Sequence, residues 1–401
     1  MNVALEGVVV LDLTRQFWGC LASAMLGDFG ARVIRLEKPD GSDRVFPDNG
    51  DVPSRGSWNY RFDLANRNKL SLALDLDLER GLDLARRLVA EVDVLVTDMP
   101  ATVLTGYGLD YGSASAIRPD IVYVGGSGFG PRGPDRDLPA IDELAAARTG
   151  MMPILPQPDE PPVYPGHGQI YTTVMMAFGA VTALYHRRES GEGQEINASL
   201  LAGNMYGASL DLQAYLAIRG DRFLQPVSRL DAGNPMSGTQ YPTEDGMWVT
   251  LTMPDTDRWW PALAEIVGLD ADDSRFDSHD KRCGENRLEL MRLLDQAFRR
   301  NSAAHWRDTF NRRQMSADVI EDYGYPAEDA SARRNRYLLE LDDASLGPLT
   351  MLGFPIFMTD TPARMDRNAP RLGQHSAELL QSMLGLSADT IAGLVDEGVL
   401  A

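Results

Sequence analysis

The chain has 401 residues, 44% of them hydrophobic and 24% charged, enough for a globular protein of more than one domain with ample core. Its formal net charge of -20 argues against nucleic-acid and anionic-membrane partners, both of which need a basic surface. Cys20 and Cys283 are too few and too far apart for a disulfide framework, and the opening residues show no secretory pattern, so a cytoplasmic location is expected.

Taken in order, Gly7 to Leu13 is a β-branched strand run, Ala22 to Phe29 has helical character, and Arg32 to Glu37 is again strand-like. Strand, helix and strand within some thirty residues (~30) form a βαβ unit, the start of a parallel sheet. The pattern repeats with a strand at Leu70–Leu74, an amphipathic helix at Glu79–Val92 and strands at Asp93–Val96 and Ile121–Val124. The GGSGFG stretch that follows lacks a helix directly behind it, because Pro131, Gly133 and Pro134 prolong the turn. It therefore reads as a structural turn and not as a nucleotide loop.

A Pro-rich connector from Pro153 leads to a long helix opening after Gly168. Ile170, Val174, Phe178, Val181 and Tyr185 recur at helical spacing and predict a mostly buried element. Gln169 falls in its first turn, where orphan N–H groups and the positive dipole end favour an anion. A carboxylate would suit that position, yet the residue is a neutral amide. Beyond it, Gln194 to Tyr215 reads as helical and Gln225 to Pro242 as a linker. A strand at Met247–Leu251 and helices at Arg258–Val267, Arg287–Phe298 and Ala303–Arg312 make a second compact region. Leu349–Phe357 is strand-like, and helices at Ser376–Leu384 and Asp389–Val395 follow.

Several stretches, in order and spacing, together resemble the class III CoA-transferases, a family that includes formyl-CoA:oxalate transferase, carnitine CoA-transferase and α-methylacyl-CoA racemase. They are Leu11-Asp-Leu-Thr14, Leu26-Gly-Asp-Phe-Gly-Ala31, Asn66-Arg-Asn-Lys69, Ser127-Gly-Phe-Gly130, Ser190-Gly-Glu-Gly-Gln194 and Ala369-Pro-Arg-Leu-Gly-Gln-His375. The resemblance implies a large open parallel-sheet, Rossmann-like α/β domain built from both chain ends (1–205 and 330–401). It also implies a linker helix at 206–224, a smaller α+β middle domain at 225–329, and two chains interlocked as a dimer.

The resemblance also implies a chemistry centred on one aspartate, whose carboxylate attacks an acyl-CoA and then carries CoA as a thioester. Counting back from Gly179 and the Ser190–Gln194 turn, that aspartate falls on Gln169, and no Asp or Glu lies between Glu160 and Glu189 to replace it. Asp77 and Pro100 stand where the family usually has a Lys and an Arg near the CoA phosphates. Arg35, Lys38, Arg44 and Lys69 remain as candidate phosphate contacts, each of which could equally be an ordinary surface cation. The racemase branch pairs a His with an Asp where this chain has Ile141-Asp142, which disfavours racemisation. His167 and Asp142 are weak acid–base candidates: the first sits in a Pro/Gly loop, the second suits a helix entry. The dispersed histidines suggest no metal site.

Three functions remain open. The first is a nucleophile-lacking subunit of a class III CoA-transferase, paired with an Asp-bearing paralogue, as in hetero-oligomeric members acting on succinyl-CoA and dicarboxylic acids. The second is a homodimeric enzyme with isomerase, hydratase or lyase chemistry on acyl-CoA, using Gln169 as an oxyanion donor. The third is a non-catalytic acyl-CoA-binding regulator. In all three a coenzyme A thioester is the expected ligand, and no permanently bound cofactor is expected.

Overall fold

The computed structural model describes residues 3–46, 58–222, 224–343 and 346–401. The chain forms two compact units, one of residues 1–152, 164–220 and 335–401, the other of residues 153–163 and 221–334.

The first unit is built on β1 (Val9–Asp12), α1 (Phe17–Asp28), β2 (Arg32–Glu37), α2 (Tyr60–Asn66), β3 (Lys69–Ala73), α3 (Glu79–Val89) and β4 (Val94–Thr97). It continues with α4 (Ala101–Tyr107), α5 (Tyr111–Ile117), β5 (Val122–Ser127), α6 (Asp142–Ala146), α7 (Gly168–Ser190), β6 (Gln194–Ser199), α8 (Leu200–Gly207) and α9 (Ser209–Ile218). The six strands are all parallel, in the order β3-β2-β1-β4-β5-β6. Side chains alternate across the sheet with a period of two. Val10, Val33, Val94, Val96, Val122 and Val124 face Trp18, Ala22, Leu26, Met176, Ala180 and Ala183 of α1 and α7. Leu11, Ile34, Leu72, Leu95 and Tyr123 face α3, α5 and the last two helices of the chain. Both faces are covered, which is why these strands read as continuous apolar runs.

The second unit holds an antiparallel sheet of β7 (Ser237–Pro242), β8 (Trp248–Thr252) and a later strand, β9 (Ala317–Ile320), in that order. Between and after these lie α10 (Thr256–Val267), α11 (His279–Cys283), α12 (Arg287–Phe298), α13 (Ala303–Arg313), α14 (Gly324–Glu328) and α15 (Ala330–Arg334). Its core is aromatic: Phe298 packs edge-on against Trp306 at 4.8 Å, and Trp260 is buried with its indole N–H donated to the Ala271 carbonyl. The chain then returns to the first unit as an antiparallel hairpin, β10 (Leu338–Asp343) and β11 (Gly347–Leu352), followed by α16 (Ser376–Leu384) and α17 (Ala388–Asp396).

Three expectations are corrected. Gln194–Ser199 is not helical: it is the sixth strand, paired in parallel with β5 over its whole length. The turn before it closes because a Cβ on Gly193 would strike the Ile121 carbonyl, and on this edge strand pairing overrides local helix preference. The proposed linker at 225–242 ends in the paired strand β7. Finally, α7 is not buried along its large apolar stripe. The side chains turned to the sheet are small (Thr172, Thr173, Ala177, Ala180, Ala183) together with Met176, while Phe178 and Tyr185 are 72% and 70% exposed. Small residues let the helix approach the sheet closely: a Cβ on Gly179 would come within 2.7 Å of Ile196. No helix among the described residues is long and apolar enough to cross a membrane.

Candidate functional site

In an open parallel sheet of this order the chain reverses direction between β1 and β4, and the crevice beyond the carboxyl ends of those two strands is the natural ligand site. The first unit has a cavity of about 870 Å³ there. Gln16, Phe17 and Trp18 enter it from the turn after β1, Asp98 and Pro100 from the end of β4, and Gln169 from the start of α7.

Gln169 is placed by contacts on three sides. Gly168 is buried where any Cβ would collide with the Asn204 amide, so the helix start is pressed against α8. The Thr173 hydroxyl, one turn on, donates to both the Gln169 carbonyl (2.9 Å) and the Trp18 carbonyl (2.8 Å), tying α7 to α1. Thr172 donates to the Gly168 and Ser199 carbonyls at 3.0 and 3.2 Å. The backbone of the first turn of α7 is therefore fixed, and from it Gln169 offers the cavity a neutral side-chain amide. It can hydrogen-bond a polarised oxygen, and it cannot attack a carbonyl carbon.

Asp142 reaches the same cavity as the first residue of α6. One of its oxygens accepts from Asn204 Nδ2 at 2.8 Å and the other from the Tyr164 hydroxyl at 2.6 Å. With both oxygens engaged, it braces α6, α8 and the segment leading to α7.

Asp98 is a second carboxyl group in the cavity, and sequence reasoning missed it. It lies just beyond β4, with one oxygen accepting the Arg15 backbone N–H at 2.7 Å and the other the Gln16 N–H at 2.9 Å. Gly19 makes room for it, since a Cβ there would overlap the carboxylate. Burial drives its pKa up from the ordinary carboxylate range to about 7. The two backbone N–H groups pull the other way, and the nearby Asp12 charge adds to the rise. An acidic residue ending a parallel strand at a reversal of strand order was the available signal.

The predicted cations do not gather at the cavity. Arg35 and Lys69 are fully buried in the sheet. Lys69 Nζ donates to Asp12, to the Cys20 carbonyl and to Asn66 at 2.7, 2.7 and 2.9 Å. Arg35 donates to Cys20 Sγ and to the Asp43 carbonyl at 2.9 and 3.0 Å and faces Glu37 at 3.3 Å. Arg44 bridges Glu37 and the Pro370 carbonyl, both at 2.9 Å, above the Phe62 ring. Lys38 is exposed on the turn after β2. The cation that does line the cavity is Arg61, from α2. His167 is exposed at the entry of α7 and outside the cavity lining. Asp77 is exposed and accepts from the Tyr107 hydroxyl at 2.6 Å. Among the described residues no group of three or more His, Cys, Asp or Glu is arranged to hold a metal.

The profile of CoA-transferase family III matches residues 5–376, and the chain belongs to this family. A succinate–glutarate CoA-transferase of Agrobacterium fabrum is 30% identical over 403 residues, covering 94% of this chain and 95% of the relative. A cinnamoyl-CoA:phenyllactate CoA-transferase of Clostridium sporogenes is 26% identical over 388 residues, covering 94% and 93%. The crystal structure of a CAIB/BAIF family protein from Brucella suis superposes with a TM-score of 0.84 at 26% identity, over 96% of this chain and 100% of that one. The general chemistry of this family is the movement of CoA between an acyl-CoA and a carboxylic acid.

Proposed function

We propose that this chain is a subunit of a family III CoA-transferase that lacks its own nucleophile and works beside a paralogue carrying the aspartate. The observation that supports this reading is the neutral Gln169 amide, held at the start of α7 inside the β1/β4 crevice. A carboxylate nucleophile would belong there, and an amide nitrogen, its lone pair delocalised into the carbonyl, forms no anhydride with an acyl group. Of the three acids that line the cavity, Asp98 and Asp142 already spend both oxygens on structural hydrogen bonds, and the third, Glu143, is solvent-exposed on α6 rather than at the helix start where the nucleophile is expected. In this reading the chain's contribution is to complete its partner's fold and to bind a CoA ester, with Lys38 as the exposed cation for the phosphates.

The test is native mass spectrometry of the chain isolated from its own organism, followed by incubation with an acyl-CoA and hydroxylamine trapping. The expected result is a stoichiometric partner subunit that carries the thioester while this chain carries none. A homodimer with no paralogue overturns the pairing and turns attention to thioester chemistry in which the Gln169 amide stabilises an oxyanion.

A further inference from the structure

We infer that the acyl group admitted beside Gln169 is uncharged and apolar or aromatic, and that Asp98, Asp142 and Glu143 exclude acyl groups ending in a second carboxylate. This rests on the reading above, that the cavity receives the acyl end of a CoA thioester, and goes beyond it by naming the class of acyl group.

The walls carry the first half of the argument. Phe17, Trp18, Tyr60, Leu64, Pro139 and Ile141 line the cavity and offer ring faces and aliphatic edges to an apolar tail. Trp18 is itself immobilised: it is buried, and Gly126 behind it is the residue that makes space for its ring. A planar or branched tail therefore meets a rigid surface.

The charges carry the second half. Among the described residues, three carboxyl groups line this cavity against one guanidinium. That guanidinium, on Arg61, lies over the Phe17 and Phe46 rings at 5.3 and 5.8 Å. The N–H and O–H groups that face Asp98 and Asp142 are taken by those two side chains. A terminal carboxylate entering here would meet three carboxyl groups against the single guanidinium of Arg61, which is discrimination by repulsion. Asp98 makes the repulsion depend on pH, because burial holds its carboxyl near 7. The ionisable groups around it are Asp12, Arg15 and Cys20 from β1 and α1, Arg61 from α2, Asp142 and Glu143 from α6, and Tyr164 ahead of α7.

The experiment is isothermal titration of the full-length protein, with its partner subunit when one co-purifies. The ligands are phenylacetyl-CoA, glutaryl-CoA and free coenzyme A, at pH 6 and pH 8. At pH 8 phenylacetyl-CoA is expected to bind at least about tenfold more tightly than glutaryl-CoA, and the gap should narrow at pH 6 as Asp98 takes up its proton. Glu143→Gln, an exposed position on α6, should narrow the gap at both pH values. Asp98→Asn should remove its pH dependence, provided circular dichroism shows the variant folded; Glu143→Gln decides if it is not. Equal or tighter binding of glutaryl-CoA overturns the inference and leaves the CoA site standing. Failure of all three ligands to bind overturns the site itself, and the inference with it.

Discussion

Asp12 and Asp98 leave neighbouring strands a few residues apart in space and titrate in opposite directions. Burial alone would raise the Asp12 carboxyl, but Lys69 and Arg35, with hydrogen bonds from Lys69 and Thr14, hold it below its ordinary value. Its stabilising effect is present above the unfolded pKa and is lost as pH falls through the folded one. Asp98 has no such cation bonded to it, and its folded pKa lies above the unfolded value. It therefore keeps its proton in the folded state between roughly pH 4 and 7, and stability falls as pH rises through that window. Going from pH 5 to pH 8 in urea denaturation, the wild type should lose on the order of 2–3 kcal/mol more stability than Asp98→Asn, because only about two pH units of the window lie between these values. Lys69→Met leaves Asp12 buried and stripped of its ion pair, and should cost about 3–5 kcal/mol in the same assay at pH 7. Gln169→Asp places a carboxylate at the helix start and leaves Asp77 and Pro100 unchanged. Alone it should yield only weak transferase activity with acetyl-CoA, measured as thioester exchange; robust turnover would show that the amide was the sole defect.

Elements differ in how plainly they could be read. β2, α12 and α16 coincide with their expected limits, since β2 is a short apolar-rich run closed by Lys38-Pro39 and the two helices carry a clear period of 3.6. β6 was hidden because Gln194, Glu195 and Asn197 look like surface helix, and only the edge of β5 makes them a strand. The misread face of α7 has a different cause. Periodicity shows that a stripe is apolar, but it does not say whether the stripe meets its own sheet or another surface, and here the sheet takes the small side chains. Within the candidate site, Gln169 and Asp142 were legible from local patterns. Asp98 and Arg61 were not, because their place in the cavity depends on which strands lie side by side. The close crossing of α7 and α8 is testable at Gly203, where a side chain would run into Thr172 and the Gly168 carbonyl. Gly203→Val should cost about 1–3 kcal/mol in urea denaturation and lower the affinity for CoA esters by displacing the start of α7.

At the scale of the whole molecule the outward apolar surface is the main unpartnered feature. Besides Phe178 and Tyr185, the neighbouring helices expose Tyr206 and Leu210, the latter at 87%. Apolar side chains gathered on adjoining helices in this way are expected to be covered by another chain. Phe178→Glu combined with Leu210→Glu should convert the assembly to monomers in sedimentation velocity, while far-ultraviolet circular dichroism stays unchanged.

The edge of the large sheet carries a consequence for synthesis. β3 is an edge strand, and the chain running on from it is closed off by residues from the far end. Asp75 N–H donates to the Val399 carbonyl, Leu74 bridges to Leu400, and Ala401 N–H donates to the Ala73 carbonyl. Ser71 is held in turn by the His375 ring and the Gly373 N–H. On a ribosome the edge strand β3 therefore emerges some three hundred residues (~300) before the segment that covers it, and the whole second unit is made in the interval. Through that time β3 presents free N–H and C=O groups to any other nascent strand. Yield in the cell should accordingly track chaperone supply more closely than it tracks the stability of the finished protein.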